Sequence, residues 1–162
     1  MIVFLDADLR KAAYWAHIGI MTVSGQNCTT NSRILVHESV HDEFLGYFME
    51  RVRASPLGDP FDERTFQGPV ISSTQRDRIL KYIRIRQAEG TTLHAHGKLW
   101  SGRPGGRGYY IEPTVFTDVR DHMRPAARES RAGGLCIAVP KRVGRGGAGQ
   151  RLHLRTGGCC VL

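Results

Sequence analysis

The chain changes character at Met123, and that change limits how much of it can fold. The 39 residues that follow hold eight glycines, seven arginines and one lysine against a single acid, Glu129, with no sustained apolar period outside Leu135–Val139. A packed core must bury enough apolar surface to offset the entropy of ordering the chain. Residues 1–123 meet that requirement. Residues 124–162 are expected to form a basic, Gly/Arg-rich tail that does not pack. Charge divides at the same place, since +7 of the net +8 lies after Met123 and only +1 before it. A body of this length is one domain or part of one. No apolar run approaches the roughly 18 residues of a membrane span, and Met1–Leu5 runs directly into Asp6 and Asp8, unlike a secretory leader. The four cysteines, at 28, 136, 159 and 160, have neither the spacing of a disulfide framework nor that of a zinc site. A cytoplasmic protein with reduced thiols is expected.

Within the body, helical and strand periods alternate. From Asp6 to Met21, Leu9, Ala12, Ala13, Trp15, Ala16 and Ile20 recur near a 3.6-residue period, with Asp6 or Asp8 available as cap. Ser24-Gly25-Gln26-Asn27 breaks that pattern, and Ser32–His37 is a short β-prone run. Glu38–Ala54 carries the clearest helical stripe: Val40, Phe44, Leu45, Phe48, Met49 and Val52. Pro56, Gly58, Pro60 and Gly68-Pro69 mark a loop. A third helix is predicted from Ser72-Ser73-Thr74 through Ile79, Leu80, Ile83 and Ile85 to Gly90. Thr91–Ala95 and Tyr109–Phe116 read as strands either side of a Gly-rich turn at Ser101–Gly108. Such alternation implies an α/β layer structure.

A lone cysteine is more often a small buried hydrophobe than a nucleophile. Cys28 has a different context. It follows Gly25-Gln26-Asn27 on a helix-to-strand connection, where glycine permits close backbone approach and an exposed thiol can meet a carbonyl. Around it, Asp6-Ala7-Asp8-Leu9, Gly25-Gln26-Asn27-Cys28-Thr29, Ser32-Arg33-Ile34, Asp42-Glu43-Phe44, Gly58-Asp59-Pro60-Phe61, Gln67-Gly68-Pro69 and Ile111-Glu112-Pro113-Thr114-Val115-Phe116 stand in one order. Over residues 1–123 the sequence thereby resembles the aldehyde dehydrogenases. Leu135-Cys136-Ile137-Ala138 resembles them again. The resemblance implies a partial catalytic domain, three-layer α/β, lacking the N-terminal Rossmann cofactor domain.

It also implies a chemistry. The Cys28 thiolate would add to a small-molecule aldehyde, NAD or NADP would take the hydride, and the resulting thioester would be hydrolysed. Gly25, Gln26 and Asn27 would shape the substrate and oxyanion loop, and the Cys28 N–H would be one oxyanion donor. The family's side-chain Asn donor, its general base in a Glu-x-Gly-Gly-Lys string and its Gly-rich dinucleotide loop correspond to segments upstream of Met1. The alternative is therefore an inactive remnant or interaction fragment. A same-length overlay puts Glu129 at the second Glu of the family's Glu-Glu-Ile-Phe-Gly-Pro string, which contacts the nicotinamide ribose, with Arg131 in place of Phe. Thr22, Val23 and Thr30 depart from the family pattern beside the nucleophile. Family members are homo-oligomers.

Other features carry weaker chemistry. His17, His37 and His41 lack the spacing and companions of a metal site, so no metal is expected. Trp15, Tyr109 and Tyr110 on periodic segments read as core packing. No aromatic residues interleave the tail arginines as nucleic-acid binding would favour. Cys159-Cys160-Val161-Leu162 has a prenylation-like Cys four from the end, but its second position is not aliphatic. The family likeness fades after Lys141, the pattern of a slipped reading frame or missed splice. Transcript sequencing across codons 124–162 is expected to reveal that slip, and a clean message encoding these residues would refute it.

Overall fold

Two helices pack through their apolar stripes and organise the interior. In the computed structural model, which describes residues 1–96, 98–102, 107–119 and 136–139, α1 spans Leu9–Met21 and α2 spans His41–Arg53. Asp8 caps α1, its carboxylate accepting the Lys11 N–H at 3.1 Å. Asp42 and Glu43 in the first turn of α2, with Arg51 and Arg53 in its last, complement the helix dipole. The α2 stripe is as expected: Phe44, Phe48, Met49 and Val52 are buried, and the rings of Phe44 and Phe48 stack at 5.8 Å. Residues Glu38–Val40, predicted as the start of that helix, form a separate 3-10 turn.

The α1 stripe is the predicted one except at Trp15, with Leu9 and Ala12 partly buried against the same core. Ala13, Ala16, His17, Ile20 and Met21 are buried, whereas Trp15, read as core, is 56% exposed and meets Tyr14 edge-on at 5.1 Å. Ala13 and Ala16 let α2 approach closely, and an indole at that contact would hold the helices apart.

Strand β1 (Ile2–Val3) pairs in parallel with β2 (Leu35–Val36) and adds Val3, Ile34 and Val36 to the α1–α2 core. Helix α3 (Ser73–Ala88) is capped by Ser72, whose hydroxyl accepts the Gln75 N–H, and Gly90, at φ +83°, turns the chain away after its end. The second sheet has the order β3 (Thr92–His96), β4 (Thr114–Thr117), β5 (Cys136–Val139); β3 is antiparallel to β4, and β5 is parallel to it. The β3–β4 register shifts between Leu93 and Ala95. In a regular strand these two side chains would share a face. The bulge separates them, so Leu93 joins Phe116, Ile79 and Ile83 under α3, while Ala95 joins Val115 in the α1–α2 core. Helices therefore cover both faces of this sheet, the expected three-layer arrangement.

Two strand boundaries differ from expectation. The predicted strand Tyr109–Phe116 enters the ladder only at Thr114, because Pro113 has no N–H to donate. Tyr109 and Ile111 instead make isolated bridges to Val70 and Leu99. Of the aromatic pair read as core, Tyr110 is buried and Tyr109 is exposed. The sheet also continues past Met123, since β5 comes from the one apolar run of the basic segment. No helix among the described residues is long and apolar enough to cross a membrane.

His17 couples α1 to the end of α2. Its ring is buried and stacks on Phe66 at 4.9 Å, and Nε2 lies 2.6 Å from Ser55 Oγ. The Ser55 hydroxyl donates to the Arg51 carbonyl, so its oxygen accepts from Nε2–H. Burial first, and the Arg51 charge second, lower the pKa of His17 from its ordinary value. The unfolded chain thus binds this proton more readily than the native state. Urea titration is expected to show this contribution intact above pH about 6.5 and lost progressively as pH falls below it. His17→Gln should flatten that part of the profile, and an unchanged slope would place the titration elsewhere.

Candidate active site

The chain leaves α1 through an unfavourable turn. In the 3-10 segment Thr22–Gly25, Val23 (φ 54°), Ser24 (φ 54°) and Gly25 (φ 68°) are consecutive left-handed residues. Glycine tolerates this conformation, but for a β-branched side chain it is an outlier. Strain of this kind persists only when the surroundings over-determine it. Here the restraints are visible. Buried Ser24 donates from Oγ to the Gly68 carbonyl at 2.8 Å, and Gln26 Oε1 accepts the Ile71 N–H at 3.0 Å. The Gln26 backbone N–H closes the turn onto the Val23 carbonyl at 3.1 Å. Gly25 thus lies in the left-handed turn, and Gln26 ties that turn to the Ile71 segment. Ser24 and the Gly68–Ile71 segment were not anticipated as its anchors.

Cys28 sits at the crest of the next turn. Asn27 and Thr30 close it, with the Thr30 N–H donating to the Asn27 carbonyl (3.2 Å) and the Asn27 N–H to Thr30 Oγ1 (3.3 Å). The hydroxyl that sets Thr30 apart from the family pattern is thus part of the turn. The Cys28 thiol is exposed and donates to Asn27 Oδ1 at 3.3 Å. A thiolate could not keep that contact, but rotation of the Asn27 amide would present Nδ2 donors to it instead. Among the described residues the Cys28 N–H has no acceptor, so an adjoining hydrogen-bond donor is available to an incoming oxygen.

The remaining expected site residue, Glu129, lies outside the described residues, as do residues 103–106 of the Gly-rich turn. Among the described residues no strand passes through a Gly-rich turn into a helix N-terminus, the arrangement that cradles a dinucleotide pyrophosphate. None forms a group of three His, Cys, Asp or Glu suited to a metal ion. Glu112 donates its backbone N–H to the Lys98 carbonyl beside β4.

The aldehyde dehydrogenase family model matches residues 1–137. An aldehyde dehydrogenase of Emericella nidulans is 45% identical over 128 residues, covering 79% of this chain and 25% of that protein. A betaine aldehyde dehydrogenase of Brucella ovis is 43% identical over 129 residues, covering 80% and 26%. Among solved structures, a point mutant of betaine aldehyde dehydrogenase from Staphylococcus aureus, in complex with NAD+ and with a BME-modified cysteine, matches with a TM-score of 0.79 at 37% identity. That match covers 85% of this chain and 28% of that one. A 3,6-anhydro-L-galactose dehydrogenase structure has a TM-score of 0.83 at 35% identity, covering 88% and 29%. The chain spans about a quarter of the length of the curated relatives it matches.

The strained turn can be tested directly. Val23 is 61% exposed, so little burial is lost by shortening it. Relief of a left-handed penalty of about 1–2 kcal/mol, less about 0.5–1 kcal/mol of added backbone entropy, should make Val23→Gly slightly stabilising. A rise in the urea midpoint is expected, and a fall would show that the turn is not strained.

Proposed function

Because the chain belongs to the aldehyde dehydrogenase family, we propose that Cys28 is the nucleophile of an NAD(P)-dependent oxidation of small-molecule aldehydes in the cytoplasm. The observation that carries this reading is an exposed thiol, on an anchored turn, beside an N–H that donates to no described residue. As a thiolate, Cys28 Sγ attacks the carbonyl carbon. The C–S bond forms, the C=O π electrons move to oxygen, and the Cys28 N–H supports the oxyanion of the resulting thiohemiacetal. Gly25 gives the turn its direction, Gln26 ties it to Ile71, and Asn27 reorients its amide toward the thiolate. A nicotinamide dinucleotide, when bound, supplies the acceptor for the hydrogen and electron pair that the carbonyl carbon loses. Cys28 is then left as a thioester, and water releases the acid and restores the thiol.

Competitive labelling tests this. A substoichiometric alkyl vinyl ketone is added to the full chain, and peptide mass spectrometry identifies the modified cysteine. Cys28 is expected to react first among the four, a small aldehyde such as propanal is expected to slow that reaction, and Cys28→Ser should abolish it. Any NAD(P)-dependent turnover should fall at least about a thousandfold in the same variant. Labelling spread evenly over the cysteines, with no protection by aldehyde, would remove the basis of the proposal.

A further inference from the structure

On the surface away from the cysteine turn, α1 and α2 exchange two reciprocal contacts. The Arg10 guanidinium of α1 lies over the Tyr47 ring of α2 at 4.3 Å, and the Arg51 guanidinium of α2 lies over the Tyr14 ring of α1 at 4.9 Å. In each helix the Arg and the Tyr are four residues apart, so they share one face. Tyr47 is held from its other end, its hydroxyl donating to Glu43 Oε1 at 3.2 Å. Arg10 and Arg51 both line a cleft of about 210 Å³, together with Tyr47, Glu50 and Ala54. That is room for several waters, at roughly 30 Å³ each in the liquid. Among the described residues neither guanidinium has a carboxylate within ion-pair distance, Glu50 included.

Stacking engages the flat face of a guanidinium and leaves its edge N–H donors free. Two such forks around one cleft suit an anion with more than one pair of oxygens. A carboxylate offers two oxygens and satisfies one fork, whereas a phosphate group can meet both. The geometry points to the α1–α2 cleft as a binding site for a phosphate monoester or inorganic phosphate, separate from Cys28 and independent of its role. Glu50 opposes the ligand by like charge and so limits affinity.

Phosphorus NMR of inorganic phosphate with the full chain tests the site at constant ionic strength. The basic residues after Met123 also attract phosphate, so only the effect of cleft substitutions is diagnostic. Line broadening should saturate with wild type. R10Q and R51Q should each weaken binding several-fold, and together at least about tenfold. E50Q should tighten it. R10K and R51K keep the charge but lose the fork, and should weaken binding nearly as much as Gln. Gln is a good helix former, and unchanged circular dichroism would confirm that the variants fold. Equal broadening in the R10Q/R51Q double variant would overturn the site, as would saturation by chloride at the same ionic strength. Full retention of affinity in the Lys variants would overturn the two-fork geometry.

Discussion

The close contact of α1 with α2 is the constraint on which the rest depends. Ala13 and Ala16 present almost no bulk, so Phe44 and Phe48 can fill the space between the helices and β1–β2 can close the same core. That contact fixes where α1 ends. The end of α1 in turn fixes the turn that delivers Cys28, because Val23 and Ser24 adopt left-handed conformations only while Gly68 and Ile71 hold them. The nucleophile candidate thus owes its position to the packing of the helix that precedes it.

Much of this was legible in the residues. The α2 stripe, the Ser72 cap, the Gly90 exit and the Gly25 turn each depend on local chemistry within a few positions, and local chemistry is what a single sequence displays. The outward placement of Trp15 was not legible, since an indole at helical spacing reads as core and only the partner helix decides that Ala13 and Ala16 take the contact. The β3 bulge was equally hidden, because a register shift belongs to a pair of strands. The same reason concealed Ser24 and Ile71. Their bonds reach across more than 40 residues, and Gln67-Gly68-Pro69 gave no sign that the cysteine turn was its neighbour.

Composition proved an incomplete guide to extent. The shift at Met123 reflects real chemistry, yet Cys136–Val139 pairs with β4 and the family match runs to residue 137. Net charge and glycine content average over a segment, while a four-residue strand needs only a short apolar run and an open neighbour.

The bulge at His94 has a consequence for how the molecule comes apart. By sending Leu93 and Ala95 to opposite sides, and with Val115 and Phe116 alternating across from them, it makes two adjacent strands the common wall of both cores. Neither core can melt while the other stays sealed, because peeling β4 away opens both at once. The two halves are thereby bound into one cooperative transition, with β4 as the element whose loss is global rather than local.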